Sequence, residues 1–564
     1  MKSFHELEYV RPDLKAFIRT SEAQLEQFEQ AGDYEQARQA LLAMQKAESS
    51  LGTMLTIAMV RNTIDTRDSF YEGEAEFLNE QLPTLIPVQI RLYQALLKSP
   101  FRQDLEQEYG RQLMTNAETA LKTQDPAIMQ DKAEEAKLSH AYQKLTASCQ
   151  TEFDGQTVNF YGLLKHMEDT DRQHRQAACQ AWAALYEDNA PELDRLFDQL
   201  TAVRVRMATT LGYDSYTDLA YLDRQRTDYT SEDAATFRRQ ILDVVVPFCT
   251  ELRQRQARRL GVDRVKYYDE ALLFPEGNPQ PAADKDQMIR HAQTMYREMS
   301  PESADFFNFM VDHQLFDLDT KPGKRMGGYC TSLSDWKAPF IFSNFNGTSA
   351  DVDVLTHEAG HSFAYYLASR EQPLNEYEFS TSEINEIHSM TMEHFAYPWM
   401  DRFFGEQADR YRYLHLSQAL LYLPYMVCVD EFQHEVYAHP EMGAQGRREI
   451  WRQLEKRYMP WRDYDGIDFL EQGGFWMQKQ HIFSSPFYYI EYALAQMGAF
   501  EFYGRMKIDQ AQAWQDYLTL CRAGGSRSYV ELLKVAGLAN PFENGSVAKA
   551  VQHVIDELRQ HPLH

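Results

Sequence analysis

Apolar residues recur at three- and four-residue spacing through most of the chain. From residue 21 to about 150 this period runs through a background of Ala, Glu, Gln, Leu and Lys, and it is clearest at 34–60 and 74–97. Strong helix formers on that period predict long amphipathic helices. No a/d pattern persists over several heptads, so a coiled coil is not expected. Pro83, Pro87 and Pro100 mark turns or helix starts. The period breaks at 151–161, where Asp154-Gly155 between short β-prone runs predicts a hairpin. Helices are expected again at about 163–212, 231–262 and 284–299. Residues 338–346, Ala-Pro-Phe-Ile-Phe-Ser-Asn-Phe-Asn, predict a strand. Residues 414–436 are apolar and aromatic with Pro424 inside, which predicts a buried, kinked helix.

The stretch that organises the rest is 351–368. It contains His357-Glu358-Ala359-Gly360-His361, an HExxH motif. Helical positions four apart share a face, so His357 and His361 project together and can grip one zinc ion. Glu358 is out of register for that ion but within reach of a water beside it, which makes it a candidate general base. Leu355, Ala359 and Phe363 form an apolar stripe alongside, as expected of a half-buried helix. Gly360 costs about 1 kcal/mol relative to Ala in mid-helix. Such a cost suggests that something comes close to the backbone there. Asp351 and Asp353 are placed to begin the helix and complement its dipole.

A catalytic zinc site usually takes three protein ligands. The metzincin pattern requires a third His where this chain has Leu367, and a Gly where it has Ala364, so that subclass is excluded. The next helix start, Ser380-Thr381-Ser382-Glu383, fits a capping box with Ser380 as N-cap. By spacing alone either Glu383 or Glu386 completes a His2Glu site. Glu393 lies seven residues after Glu386 on the same face.

HExxH, followed 25 positions after His361 by Glu386 in Glu386-Ile387-His388-Ser389-Met390-Thr391-Met392-Glu393, resembles the M3 metallopeptidases, particularly the oligoendopeptidase F and Pz-peptidase group. The resemblance runs at least from Tyr329 to Tyr492; Ala359 departs from relatives with Phe there. It implies Glu386 as third zinc ligand and one zinc ion per chain. The run His481 to Tyr492 is similar to the M3 region in which a His and a Tyr face the metal. By that likeness His481 and Tyr492 contact the oxyanion or substrate carbonyl, with Tyr488 and Tyr489 as alternatives. The implied fold is a mainly α helical clamshell zincin with a deep channel and a small sheet beside the active site. The implied activity is endopeptidase cleavage of short oligopeptides, including collagen-derived, Pro-containing ones. A carboxypeptidase of a related helical zincin type, or an inactive peptide-binding protein, are the alternatives.

The strand at 338–346 is expected to line the cleft, with Phe342 and Asn344 touching a peptide that adds to it as a further strand. Two regions are expected, a helical N-terminal lobe over 1–190 and a catalytic region over 191–564. A net charge of −27 argues against nucleic-acid binding. No apolar run reaches the length of a membrane span, and the N-terminus has no apolar h-region, so neither membrane association nor secretion is expected. Six scattered cysteines without a CxxC pair suggest free thiols in a reducing cytosol. An Arg cluster at 253, 255, 258 and 259 reads as a solvated helix end or, less economically, as a contact for a peptide carboxylate. The Gly-rich stretch 323–328 lacks phosphate-loop spacing.

Overall fold

The computed structural model describes residues 1–561 and 563. Helices dominate, and five short strands complete the regular structure of the described residues. β1 (Thr151–Phe153) and β2 (Gln156–Val158) form the expected hairpin. Its turn puts Asp154 at φ 51° and Gly155 at φ 71°. Both values lie in the left-handed region that a tight two-residue hairpin turn requires and that Asp-Gly tolerates.

The chain divides into two compact units, each built from three segments. One holds Met1–Lys122, Gln280–Ala408 and Glu501–Leu538; the other holds Thr123–Pro279, Asp409–Phe500 and Ala539–His564. A single boundary at residue 190 does not describe this interleaving.

In the first unit, helix α1 (Tyr34–Ile64) starts where the Asp33 carboxylate accepts the Gln36 N–H at 2.9 Å. A three-stranded sheet has the order β3-β5-β4, with β3 at Phe316–Asp319, β4 at Tyr329–Leu333 and β5 at Ala338–Phe345. β5 pairs parallel with β3, opposing Phe316 to Ile341, and antiparallel with β4, opposing Tyr329 to Phe342. Phe340, Ile341 and Phe342 are fully buried. β5 is thus the central strand with both hydrogen-bonding edges occupied. It cannot accept a peptide as an added strand, contrary to expectation; the edge strands of the sheet are β3 and β4.

Two helices then follow, α3 (Ala350–Glu371) and α4 (Ser382–Phe395), packed on one another. Asp351 and Asp353 lie in the first turn of α3, as expected, and the Asp351 carboxylate accepts the backbone N–H groups of Asn346 and Gly347 at 2.9 and 2.7 Å. Leu355, Ala359 and Phe363 are at most 1 % exposed, which confirms the apolar stripe. The start of α4 differs from the predicted capping box. Thr381 is the N-cap and makes no side-chain cap, while the Ser380 hydroxyl bonds to the Gly524 carbonyl instead. The Asn385 side chain secures the turn by accepting the Ser380 N–H at 3.1 Å. A tertiary partner 144 residues away therefore outcompetes the local cap.

In the second unit a 39-residue helix, α2, runs over Arg172–Thr210. The helix Ala408–Ala438 carries Pro424 in its interior, as the apolar pattern predicts. All six cysteines are free. No described helix is long and apolar enough to cross a membrane.

Candidate active site

α3 presents His357 and His361 on one face with ring centroids 4.9 Å apart. α4 brings Glu386 to them: its Oε2 lies 3.3 Å from His357 Nε2 and 3.7 Å from His361 Nε2. One ligand atom from each of the three residues falls within 4.8 Å of the other two. Glu386 is the carboxylate in this group, and Glu383 is not. The Ser389 hydroxyl, 3.3 Å from Glu386 Oε2, restrains that carboxylate.

The helices come this close because Gly360 faces α4. A Cβ at position 360 would lie 2.6 Å from Ser389 Cα and 2.7 Å from the His388 carbonyl oxygen. The mid-helix glycine therefore marks the approach of one backbone to another, as its cost suggests. Glu393, one helical face along from Glu386, accepts from His357 Nδ1 at 2.6 Å. That bond favours a proton on Nδ1 and turns Nε2, on the Glu386 side, towards the place where an ion would be held. The seven-residue spacing put both glutamates on one face, but the partner of Glu393 was not legible from it.

The electrostatics of the cluster favour a cation. Burial alone would depress the His357 pKa, but hydrogen bonds to Glu386 and Glu393 outweigh it and hold that pKa well above the ordinary imidazole value. Burial pulls His361 down to about 4 despite the nearby Glu386. Glu358 is 8 % exposed. Its carboxyl is pushed up to about 7 by burial first, with His357 opposing and the Glu386 and Glu393 carboxylates adding to the rise. Glu358 Oε2 is buried with no hydrogen-bond partner. Two imidazole nitrogens, one carboxylate oxygen and an excess of buried carboxylate around them fit a divalent ion, and this N/O donor set suits zinc.

This HExxH helix, with a glutamate from the following helix set against both histidines, carries the pattern of one peptidase family across most of the chain. Residues 165–551 match the description "Peptidase family M3", and residues 4–124 match "Peptidase M3 N-terminal domain". The chain belongs to peptidase family M3. Among solved structures, Pz peptidase A with an inhibitor is 44 % identical, covers 99 % of this chain and 100 % of its own, and superposes with a TM-score of 0.94. A structure assigned as an oligoendopeptidase F from Bacillus anthracis is 42 % identical over 99 % of this chain and 98 % of its own, with a TM-score of 0.89. Oligopeptidase PepF of Bacillus subtilis is 21 % identical over 93 % of this chain and 80 % of its own length. The molecule is thus a mainly helical M3 zincin and an oligoendopeptidase F-like peptidase, a family that implies a metal cofactor.

The other predicted site residues lie in the second unit and form one aromatic cluster. His481 is on a short helix, Gln480–Ser484. Its ring stacks on Tyr488 at 5.5 Å and lies 5.0 Å from Tyr489 and 6.1 Å from Tyr492. The main chain beneath is held under strain. Phe487 has φ 61°, a left-handed conformation costly for a bulky residue. Its N–H bonds to Gln433 Oε1 at 2.8 Å and its carbonyl accepts from Arg226 at 2.6 Å. Arg226 also pairs at 2.9 Å with Glu491, which is fully buried and held by Arg224 as well. These arginines, over 250 residues upstream, carried no sequence signal.

One expected substrate contact, Phe342, is corrected. The Phe342 side chain is fully buried, stacked on Tyr329 at 4.7 Å, and out of a peptide's reach. The Asn344 amide is spent on the Arg325 and Gly327 carbonyls, at 2.9 and 2.8 Å, and shapes the Gly-rich loop. In the Arg cluster, Arg255 pairs with Glu251, and Arg259 donates to the Leu273 carbonyl and the Tyr413 hydroxyl.

Proposed function

We propose that this chain is a zinc-dependent endopeptidase that hydrolyses internal bonds of short oligopeptides in the cytoplasm. The observation that carries the reading is the convergence of His357, His361 and Glu386, with Glu393 behind His357. These three residues would hold the ion. Zinc bound there would supply Lewis acidity, bringing the pKa of a water beside it down towards about 7.

Glu358 Oε2 is the base that takes the proton from the attacking water and later returns it to the leaving amine. Its burial, raised pKa and unpartnered oxygen support that role, because a base is most effective when its pKa is near the working pH. Tyr492 and His481 donate to the oxyanion of the attacked carbonyl, a role supported by the family likeness and their place in one cluster. Collagen-derived, Pro-containing peptides are included among the substrates on the likeness to the Pz-peptidase group.

Chelation is expected to abolish cleavage of an internally quenched peptide, with one equivalent of zinc per chain restoring it. Mass spectrometry of the products is expected to show internal cuts; stepwise loss of single C-terminal residues would instead assign a carboxypeptidase. Tyr492→Phe is expected to lower kcat by roughly 10²–10³, the usual effect of losing one oxyanion donor, with little change in KM. An unchanged kcat would move that role to Tyr488 or Tyr489.

A further inference from the structure

A cavity of about 680 Å³ within the second unit has His481, Tyr489 and Tyr492 on its wall. Much of the rest is apolar and aromatic, including Trp182, Leu421 and Phe475. Three lysine or arginine side chains also line it: Arg253, Arg462 and Lys479. The two arginines are already paired: both donate to Glu270 Oε2, at 3.1 and 2.7 Å, and Arg462 also lies 3.7 Å from Glu455. Lys479 is different. Its Nζ donates to the Tyr489 hydroxyl at 3.1 Å and lies 4.2 Å from the centroid of the Tyr489 ring and 5.4 Å from that of Tyr425. Among the described residues no carboxylate pairs with it.

An ammonium has three donors, and this one spends a single donor on a neutral oxygen. Half-buried among aromatic rings, it gives up part of its hydration, and π-faces return only a share of that cost. The remaining acid on the wall, Glu168, is solvent-exposed and does not pair with Lys479. A concave, largely apolar pocket with one fixed and unneutralised cation is built to receive an anion. The anion that a peptide brings is a carboxylate.

We propose that Lys479 is a specificity-determining residue that binds a carboxylate of the peptide substrate in this cavity, either the C-terminal carboxylate or that of an acidic side chain. The assignment rests on the peptidase reading above, since it takes the substrate to lie against His481 and Tyr492. It adds a preference to that reading: cleavage favours peptides that offer a carboxylate on the Lys479 side of the scissile bond.

The test uses full-length zinc enzyme and matched peptides with a free or amidated C-terminus, each with Glu or Gln at the residues near that end. Wild-type enzyme is expected to show a KM roughly tenfold higher for the peptide that lacks the recognised carboxylate. A change on amidation assigns the terminus, and a change on Glu-to-Gln exchange assigns the side chain. Lys479→Met is expected to bring the paired KM values within about twofold, and Lys479→Arg to restore much of the difference. Equal KM values across all pairs in the wild type, or a difference that survives in Lys479→Met, would overturn the proposal. Calorimetric binding of the acid and amide peptides to the wild type keeps the question separate from turnover. Acid preference without cleavage would fault the peptidase reading alone, and cleavage without acid preference would fault this one alone.

Discussion

Glu358→Gln is expected to reduce turnover by about 10²–10⁴, the range for losing a positioned general base, while zinc content stays at one per chain. The two effects separate because Glu358 is not in the ligand group of His357, His361 and Glu386. Stripped of metal, the variant is also expected to melt no lower than the metal-free parent. Glu358 Oε2 is buried without a partner, so its ionised form is a cost to the fold. The sign follows from linkage. The folded-state pKa is raised from 4.5 to about 7, so between those values the folded chain holds a proton that the unfolded chain has lost. Stability contributed by that proton is present below the lower pKa and is lost as pH rises through the upper one. An uncharged amide removes this loss. Assaying Glu358→Gln for peptide cleavage, zinc content and melting temperature checks all three. Retained turnover would dismiss Glu358 as the base; loss of zinc would make it a ligand or a structural support.

The chemistry of the centre was legible because its residues are close in sequence and their spacing matches helix geometry. HExxH and the glutamate 25 residues on both survive as elements that meet. Helical periodicity and the Asp154-Gly155 turn were legible for the same local reason. What failed depended on distant partners. Ser380 reads as an N-cap until the Gly524 carbonyl offers its hydroxyl another acceptor. The run 338–345 reads equally as an edge or a central strand until β3 and β4 occupy both sides. The interleaving of the two units is of this kind too. The Tyr517 hydroxyl donates to the His388 carbonyl at 2.9 Å across 129 positions, drawing helix α5 (Gln510–Ala523) into the first unit beside α4. The strained Phe487, pinned by Arg226 and Gln433, stores at the aromatic cluster a conformation that no local preference would choose.

Gly360→Ala is expected to lower both stability and zinc affinity, against the usual helix preference. Two effects compete. Replacing a mid-helix glycine by alanine stabilises by about 1 kcal/mol. Here, however, the new methyl would meet Ser389 Cα at 2.6 Å, the His388 carbonyl at 2.7 Å and Met392 Cβ at 3.0 Å. Two of these atoms are backbone of α4 and cannot rotate away, so the helices must separate. Overpacking of this kind costs typically about 1–3 kcal/mol, and more where backbone must move. The contact should therefore win. The displacement falls on the helix that carries Glu386 and Glu393, so the third donor and the partner of His357 both retreat from α3. Zinc affinity is expected to fall at least about tenfold, comparable to the loss of an outer-shell partner. Gly52, inside α1, is the control: an added Cβ there meets nothing within 4 Å, and Gly52→Ala should raise the melting temperature. Thermal melts and zinc competition titrations of the two variants decide the matter. If Gly360→Ala matched its parent in both, the close approach of α3 and α4 would not be what sets the metal centre.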